Sequence, residues 1–270
     1  MSNVRPAAVA GLFYPEASET LAADVRAYLD AAARLAEGAP CPKAVIVPHA
    51  GYVYSGPVAA SAYTRVALGR DTIRRVVLLG PSHHVPIRGL AVPSAQAFVT
   101  PLGASAVDRD VVAAALALRA VHESDAAHAM EHALEVQLPF LQAVLREFTI
   151  VPFAVGDATP REVADVIDAL WGGAETLIVI SSDLSHYHGY ADARSLDRVT
   201  ADLVLALSAT LGHAQACGAT PVNGLLLSAR DHALRPELLD LRNSGDTAGD
   251  RSRVVGYGSF AFCGGADARS

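Results

Sequence analysis

The sequence predicts an α/β fold: a single domain over residues 1–270, with a mostly parallel or mixed central sheet and helices on both faces. Three observations carry that expectation. Four short apolar runs rich in β-branched residues recur along the chain: Ala44-Val45-Ile46-Val47, Val76-Val77-Leu78-Leu79, Ile150 to Val155 and Leu177-Ile178-Val179-Ile180. Unbroken apolar runs of this length suit strands buried on both faces. Helical stretches separate them, so strand and helix alternate as crossover units do. The chain also has material for a large core, since 51% of its 270 residues are hydrophobic and only 18% are charged, which excludes a disordered chain.

The elements follow in order. Ser18 precedes Leu21, Val25 and Leu29, a spacing that lines one helical face, with Ser18 as cap and Gly38 as stop. The strand at 44–47 ends at Pro48, and a helix is expected from Pro57 to Ala67. The strand at 76–79 runs into Gly80-Pro81 and is followed by helices over Asp108 to Leu118 and Glu131 to Phe148. Pro139 should bend or break the second of these. The strand at 150–155 stops at Gly156, a helix covers Arg161 to Leu170, and the strand at 177–180 stops at Ser181-Ser182. The last third reads as a helix from Leu196 to Leu207, another after Pro221, and strand-like runs at Leu238 to Leu241 and Val254 to Phe262. No repeat, low-complexity tract or linker divides the chain.

Composition narrows the partners. Lys and Arg number 21 against 28 Asp and Glu, a formal net charge of −7, which excludes a basic nucleic-acid binder. No uncharged apolar run reaches the ~18 residues of a membrane-spanning helix, and Met1 to Pro6 lack the basic start and apolar stretch of a secretory signal. Cys41, Cys217 and Cys263 are an odd number with no CxxC pair, which argues for a reducing compartment. The expected location is the cytoplasm, with neither nucleic acid nor membrane as partner.

The chemistry lies in the histidines. In open α/β sheets, loops at the carboxyl ends of strands gather ligands over one edge. Here Val47 leads into Pro48-His49-Ala50-Gly51-Tyr52, Leu79 into Gly80-Pro81-Ser82-His83-His84, and Ile180 into Ser181-Ser182-Asp183-Leu184-Ser185-His186-Tyr187-His188. Any one of these histidines could be a loop residue bonded to backbone; three strand ends together argue for a metal site, an acid/base site, or both. Glu131-His132 opens a helix. Glu135 reads as an acid serving the positive helix end, while His132 either does the same local work or projects into the cleft. Cys217-Gly218 precedes a helix, where the dipole would lower a thiol pKa; a buried inert cysteine is the alternative. Tyr52 and Tyr54 follow His49 at period two, with core packing as the default for either.

Taken together, these segments resemble the Memo proteins, a family similar in fold to class III extradiol dioxygenases. The likeness runs through Ala10-Gly11-Leu12-Phe13-Tyr14-Pro15, Pro48-His49-Ala50-Gly51-Tyr52-Val53-Tyr54-Ser55-Gly56 and Gly80-Pro81-Ser82-His83-His84. It continues through Glu131 to Phe140, Ser181-Ser182-Asp183-Leu184-Ser185-His186 and Cys217-Gly218. The resemblance implies an iron or copper centre held by His49, His83 and Cys217, with Asp183 and His186 beside it. In the dioxygenase relatives a glutamate stands where this chain has Cys217, and a histidine resembling His186 is the acid/base. His84, His132 and Tyr52 are then candidates for the surroundings of the centre or the substrate pocket. The implied function is an Fe(II)-dependent, dioxygenase-like oxidoreductase acting on a small molecule such as an aromatic diol. A non-catalytic iron, Cu(I) or redox-regulatory protein is the alternative, and a zinc hydrolase a third reading, because two His, one Cys and water form an acceptable catalytic zinc set. The resemblance also implies radical-SAM pathway proteins as partners. Cys41 and Cys263 match none of these motifs and read as structural.

Overall fold

The computed structural model describes residues 3–264. Its twelve strands are β1 (Val4–Arg5), β2 (Ala44–Val47), β3 (Arg75–Pro81), β4 (Leu90–Val92), β5 (Ala97–Thr100), β6 (Gly103–Val107), β7 (Val121–Glu123), β8 (Thr149–Val155), β9 (Thr176–Ser181), β10 (His186–His188), β11 (Leu234–Asn243) and β12 (Val254–Gly264). They form one mixed sheet with the main order β1-β5-β6-β8-β3-β9-β2-β12-β10; β11 joins β12, and β4 and β7 branch from β8. The helices are α1 (Ser18–Ala32), α2 (Tyr52–Val66), α3 (Arg109–Ala115), α4 (Asp125–Ala129), α5 (His132–Glu135), α6 (Leu138–Val144), α7 (Pro160–Ala169), α8 (Tyr190–Leu205), α9 (Ala219–Asp231) and α10 (Ser244–Thr247).

The four apolar runs are the centre of this sheet. β8, β3, β9 and β2 are consecutive neighbours and mutually parallel, and from Val76 to Leu79 and Leu177 to Ile180 every side chain is buried. Burial on both faces is what removed the polar alternation from these segments, and each such side chain contributes about 1.5–3 kcal/mol relative to exposure. Because the strands are parallel, their carboxyl ends share one edge. Val47 is level with Ser181, and Leu79 with Ile180.

Elsewhere the sequence was less direct. Ser18 is not the cap of α1: the flanking position is Ala17, with no side-chain cap bond. α2 starts at Tyr52, five residues before Pro57; the carbonyl to which Pro57 has no N–H to donate belongs to Val53, an exposed residue. The helix expected over 131–148 is two, α5 and α6, parted just before Pro139. Short strands β1, β4, β5, β6, β7 and β10 went unread, being two to five residues long. Among the described residues no helix is long and apolar enough to cross a membrane.

Candidate metal centre

The edge shared by β2, β3 and β9 carries the histidines. His49, just past β2, is 2% exposed. Its Nδ1 lies 3.0 Å from Ser181 Oγ. That hydroxyl donates its own hydrogen to Ala133 O at 2.6 Å and accepts from Gln137 Nε2 at 2.8 Å, so towards His49 it can only accept. His49 therefore carries its hydrogen on Nδ1 and keeps a lone pair on Nε2, which faces Cys217 Sγ at 3.2 Å. Burial, reinforced by the neighbouring His83, depresses its pKa to about 3, so the ring is neutral at pH 7.

His83, past β3, is fixed the same way by a carboxylate. Its backbone N–H donates to Glu131 Oε2 at 2.6 Å and its Nδ1 sits 2.9 Å from Glu131 Oε1. Burial pushes Glu131 up, but hydrogen bonds from the His83 ring and backbone and from the Ala133 N–H outweigh it and hold the carboxyl at about 2. An ionised acceptor on Nδ1 leaves His83 Nε2 free for a ligand. Glu131 also caps α5 through Ala133 N–H. Glu135 does not serve the helix end; it is buried and takes Arg5, the Tyr14 hydroxyl and the backbone N–H groups of Ala8 and Val9. The N-terminal arm is thereby clamped to α5.

His132 projects into the cleft. Its ring stacks on His83 with centroids 4.6 Å apart, and Phe13 tilts against it at 4.7 Å. Burial, with the charges of His49 and His83, lowers its pKa to about 4. Ligand atoms of His49, His83 and His132 all lie within 4.8 Å of one another.

Asp183 is buried and accepts the His49 backbone N–H at 2.7 Å, so it steadies the His49 turn rather than an imidazole; burial raises its pKa. His186 Nδ1 donates to the Leu184 carbonyl at 2.8 Å, which leaves its Nε2 as a base. Cys217 is held in place by Gly218, where a Cβ would come within 2.7 Å of Ser182 Cβ. Its pKa is pushed up to about 12, first by burial and then by the Asp183 charge. Desolvation thus overrides the helix end that sequence suggested would lower it.

These groups line one cavity of about 690 Å³, within the range of small-molecule sites. His49, His83, His132, Asp183, His186 and Cys217 all face it. His84 is exposed at the edge of His132. Tyr52 is not in the pocket: as the first residue of α2 it is buried against Phe140, and its hydroxyl bonds Val136 O at 2.6 Å. Sequence reasoning missed His213 and Phe13, which also line the cavity. His213 stands four residues before Cys217 in the same loop, and that spacing was the available signal.

The Memo-like protein family model matches residues 5–261 of this chain. A MEMO1 family protein of Aquifex aeolicus (strain VF5) is 36% identical over 275 residues, covering 96% of this chain and 99% of its own. A second, of Methanosarcina acetivorans, is 36% identical over 278 residues and covers 96% and 98%. Among solved structures, the Escherichia coli K12 protein JW3007 is similar with a TM-score of 0.54 at 13% identity, over 80% of this chain and 98% of that one, a likeness of fold.

Proposed function

The chain belongs to the Memo-like family, and from that premise we propose that it is a mononuclear metal protein, an Fe(II)-dependent oxidoreductase acting on a catechol-like or other dioxygen-reactive small molecule. One observation carries the reading: His49 and His83 both have Nδ1 committed to a buried acceptor, so two Nε2 lone pairs are left for a cation beside one open cavity. Cys217, in contact with His49 Nε2, is the third donor of choice, and His132 is the competitor for that place. Ferrous iron, when bound, supplies open coordination positions at which dioxygen and a diolate can meet.

The chain's own residues do the rest. His186 Nε2 accepts the proton of a substrate hydroxyl, with the ring held by Leu184 O. Asp183 fixes the His49 backbone. Phe13, His132 and Tyr187 line the cavity beside these groups. Cys217, a neutral thiol as it stands, gives up its proton on becoming a ligand.

The soft thiol favours a second reading, an iron or Cu(I) carrier without turnover. Anaerobic loading with Fe(II), followed by oxygen-uptake assays over a panel of catechols, separates the two. Uptake only in the presence of a diol, with a coloured ring-cleavage product, is the expected result. Tight Cu(I) binding with no Fe(II)-dependent uptake would establish the carrier instead. Metal content of Cys217→Ser beside His132→Gln identifies the third ligand, because only the true ligand's loss should empty the site.

A further inference from the structure

The bond that orients the His186 ring ends on a peptide group that is itself held from behind. His186 Nδ1 donates to Leu184 O at 2.8 Å. That carbonyl belongs to the peptide group joining Leu184 to Ser185, and the N–H at the other end of the same group donates to Asp197 Oδ1 at 3.0 Å. The flanking backbone groups are already taken. Leu184 N–H donates to Gly256 O, and Ser185 O accepts from Gly256 N–H, both at 2.8 Å. One peptide plane therefore stands between an imidazole and a carboxyl, with its carbonyl towards the ring and its N–H towards Asp197.

Asp197 reaches this peptide from outside the histidine cavity. It lies in the middle of α8, is 2% exposed and does not line the cavity. A carboxyl is costly to bury unless it is bonded, and Gly256 on β12 makes its approach possible, since a Cβ there would run into Asp197 Oδ2. Two effects pass through the peptide. An N–H that donates to a carboxyl oxygen polarises its group, so the carbonyl at the far end becomes a better acceptor. The group is also rigid and planar, so anchoring its N–H stops the carbonyl from turning away from the ring. The direction of that carbonyl decides which imidazole nitrogen carries the hydrogen. We infer that Asp197 is a positioning residue for His186, acting through the peptide between Leu184 and Ser185 to keep the hydrogen on Nδ1 and the Nε2 lone pair towards the substrate. The inference rests on the reading of His186 as the base.

The test reads the tautomer directly. Proton–nitrogen correlation spectra of the full-length protein, labelled at histidine and held at about pH 8.5, above the ordinary imidazole range, report which ring nitrogen carries the hydrogen. His186→Ala identifies the His186 signals, which in the wild-type protein should be those of the Nδ1–H form. Asp197→Leu, similar in size but without an acceptor, should turn His186 into a mixture of tautomers. With Fe(II) and a diol it should also lower kcat at least about tenfold at nearly constant KM and metal content. Asp197→Asn keeps an oxygen for the Ser185 N–H. It should retain the Nδ1–H form and most of kcat, while its weaker acceptor shifts the His186 nitrogen resonances and leaves those of His49 and His83 in place. This second variant decides the matter if Asp197→Leu does not fold. A pure Nδ1–H form in folded Asp197→Leu, or unmoved His186 resonances in Asp197→Asn, would overturn the role. Absence of diol-dependent turnover in the wild-type protein would instead remove the base reading of His186, and the tautomer would still decide whether Asp197 sets it.

Discussion

The two walls of the histidine cavity are built differently. On one, His49 and His83 are held by residues far away in sequence: Ser181 Oγ, itself doubly bonded, and the Glu131 carboxylate. Behind them the N-terminal arm is clamped to Glu135. On the other wall, His186 is held by the carbonyl of Leu184, two residues away, and Cys217 touches Ser182 and Asp183 only through long sulfur contacts of 3.9 and 3.7 Å. Tyr187, at its rim, is 64% exposed and has a φ of +63°. Long-range bonds fix position and local ones leave room to adjust, so under the proposed function the first wall would hold the two imidazole ligands, and the second, Cys217 apart, would accommodate a changing substrate.

The largest test of that contrast is metal content. His49→Ala should lose metal by more than the about 100-fold that loss of an outer hydrogen-bond partner reaches, whereas His186→Ala should keep it while losing turnover. Elemental analysis beside an activity assay checks both, and equal metal loss in the two variants would erase the distinction between the walls. The clamp behind the first wall is next. Arg5→Met strands the buried Glu135 carboxylate without its cation and should destabilise the protein by about 3–5 kcal/mol in urea unfolding.

That clamp also shows where sequence stopped being legible. The central strands were readable because burial on both faces strips polar residues from them, and the strand-end histidines because turn residues mark where each strand stops. Glu135 looked like helix-end chemistry because its partners, Arg5 and Tyr14, lie more than a hundred residues upstream and no local pattern links them. Tyr52 read at period two because nothing before Pro57 marks the start of α2. The Cys217 thiol admitted two readings for a different reason: its helix end is local and visible, while the burial that dominates its pKa comes from the whole cavity.

Acid should act on the first wall through His128, whose backbone carbonyl accepts from Arg5. Burial depresses its pKa to about 4, and its Nδ1 has no partner among the described residues. A folded pKa below the unfolded value of about 6.5 means the unfolded chain binds the proton more tightly. The associated stability is full above about 6.5 and is lost as pH falls towards 4, by on the order of 2–3 kcal/mol. His128→Gln, which keeps a donor for Ala91 O, should flatten the decline measured by urea unfolding between pH 7 and 4; an unchanged decline would place the acid sensitivity elsewhere. Smaller again is the effect of Glu131→Gln. The amide keeps the size of the side chain but cannot match an ionised acceptor for His83 and Ala133, so metal affinity should fall about 10–100-fold while Arg5→Met leaves it closer to wild type.

The smallest effect belongs to the second wall and probes whether its looseness is real. Tyr187 sits in the left-handed region, where a side chain costs roughly 1 kcal/mol and glycine does not. Its ring is mostly in solvent and makes one cation–π contact, with Arg253 at 5.1 Å, worth about 0.5–1 kcal/mol when exposed. The β10–β12 pairing that carries it is irregular between His186 and His188, so relief of strain has no long ladder to disturb. Tyr187→Gly should therefore change stability by less than about 1 kcal/mol, the relieved strain and the lost contact nearly cancelling. Metal content should be unchanged, because no bond from Tyr187 reaches His49 or His83. A loss beyond about 2 kcal/mol, well outside that cancellation, or a fall in bound metal, would show that Tyr187 itself supports the ligand set.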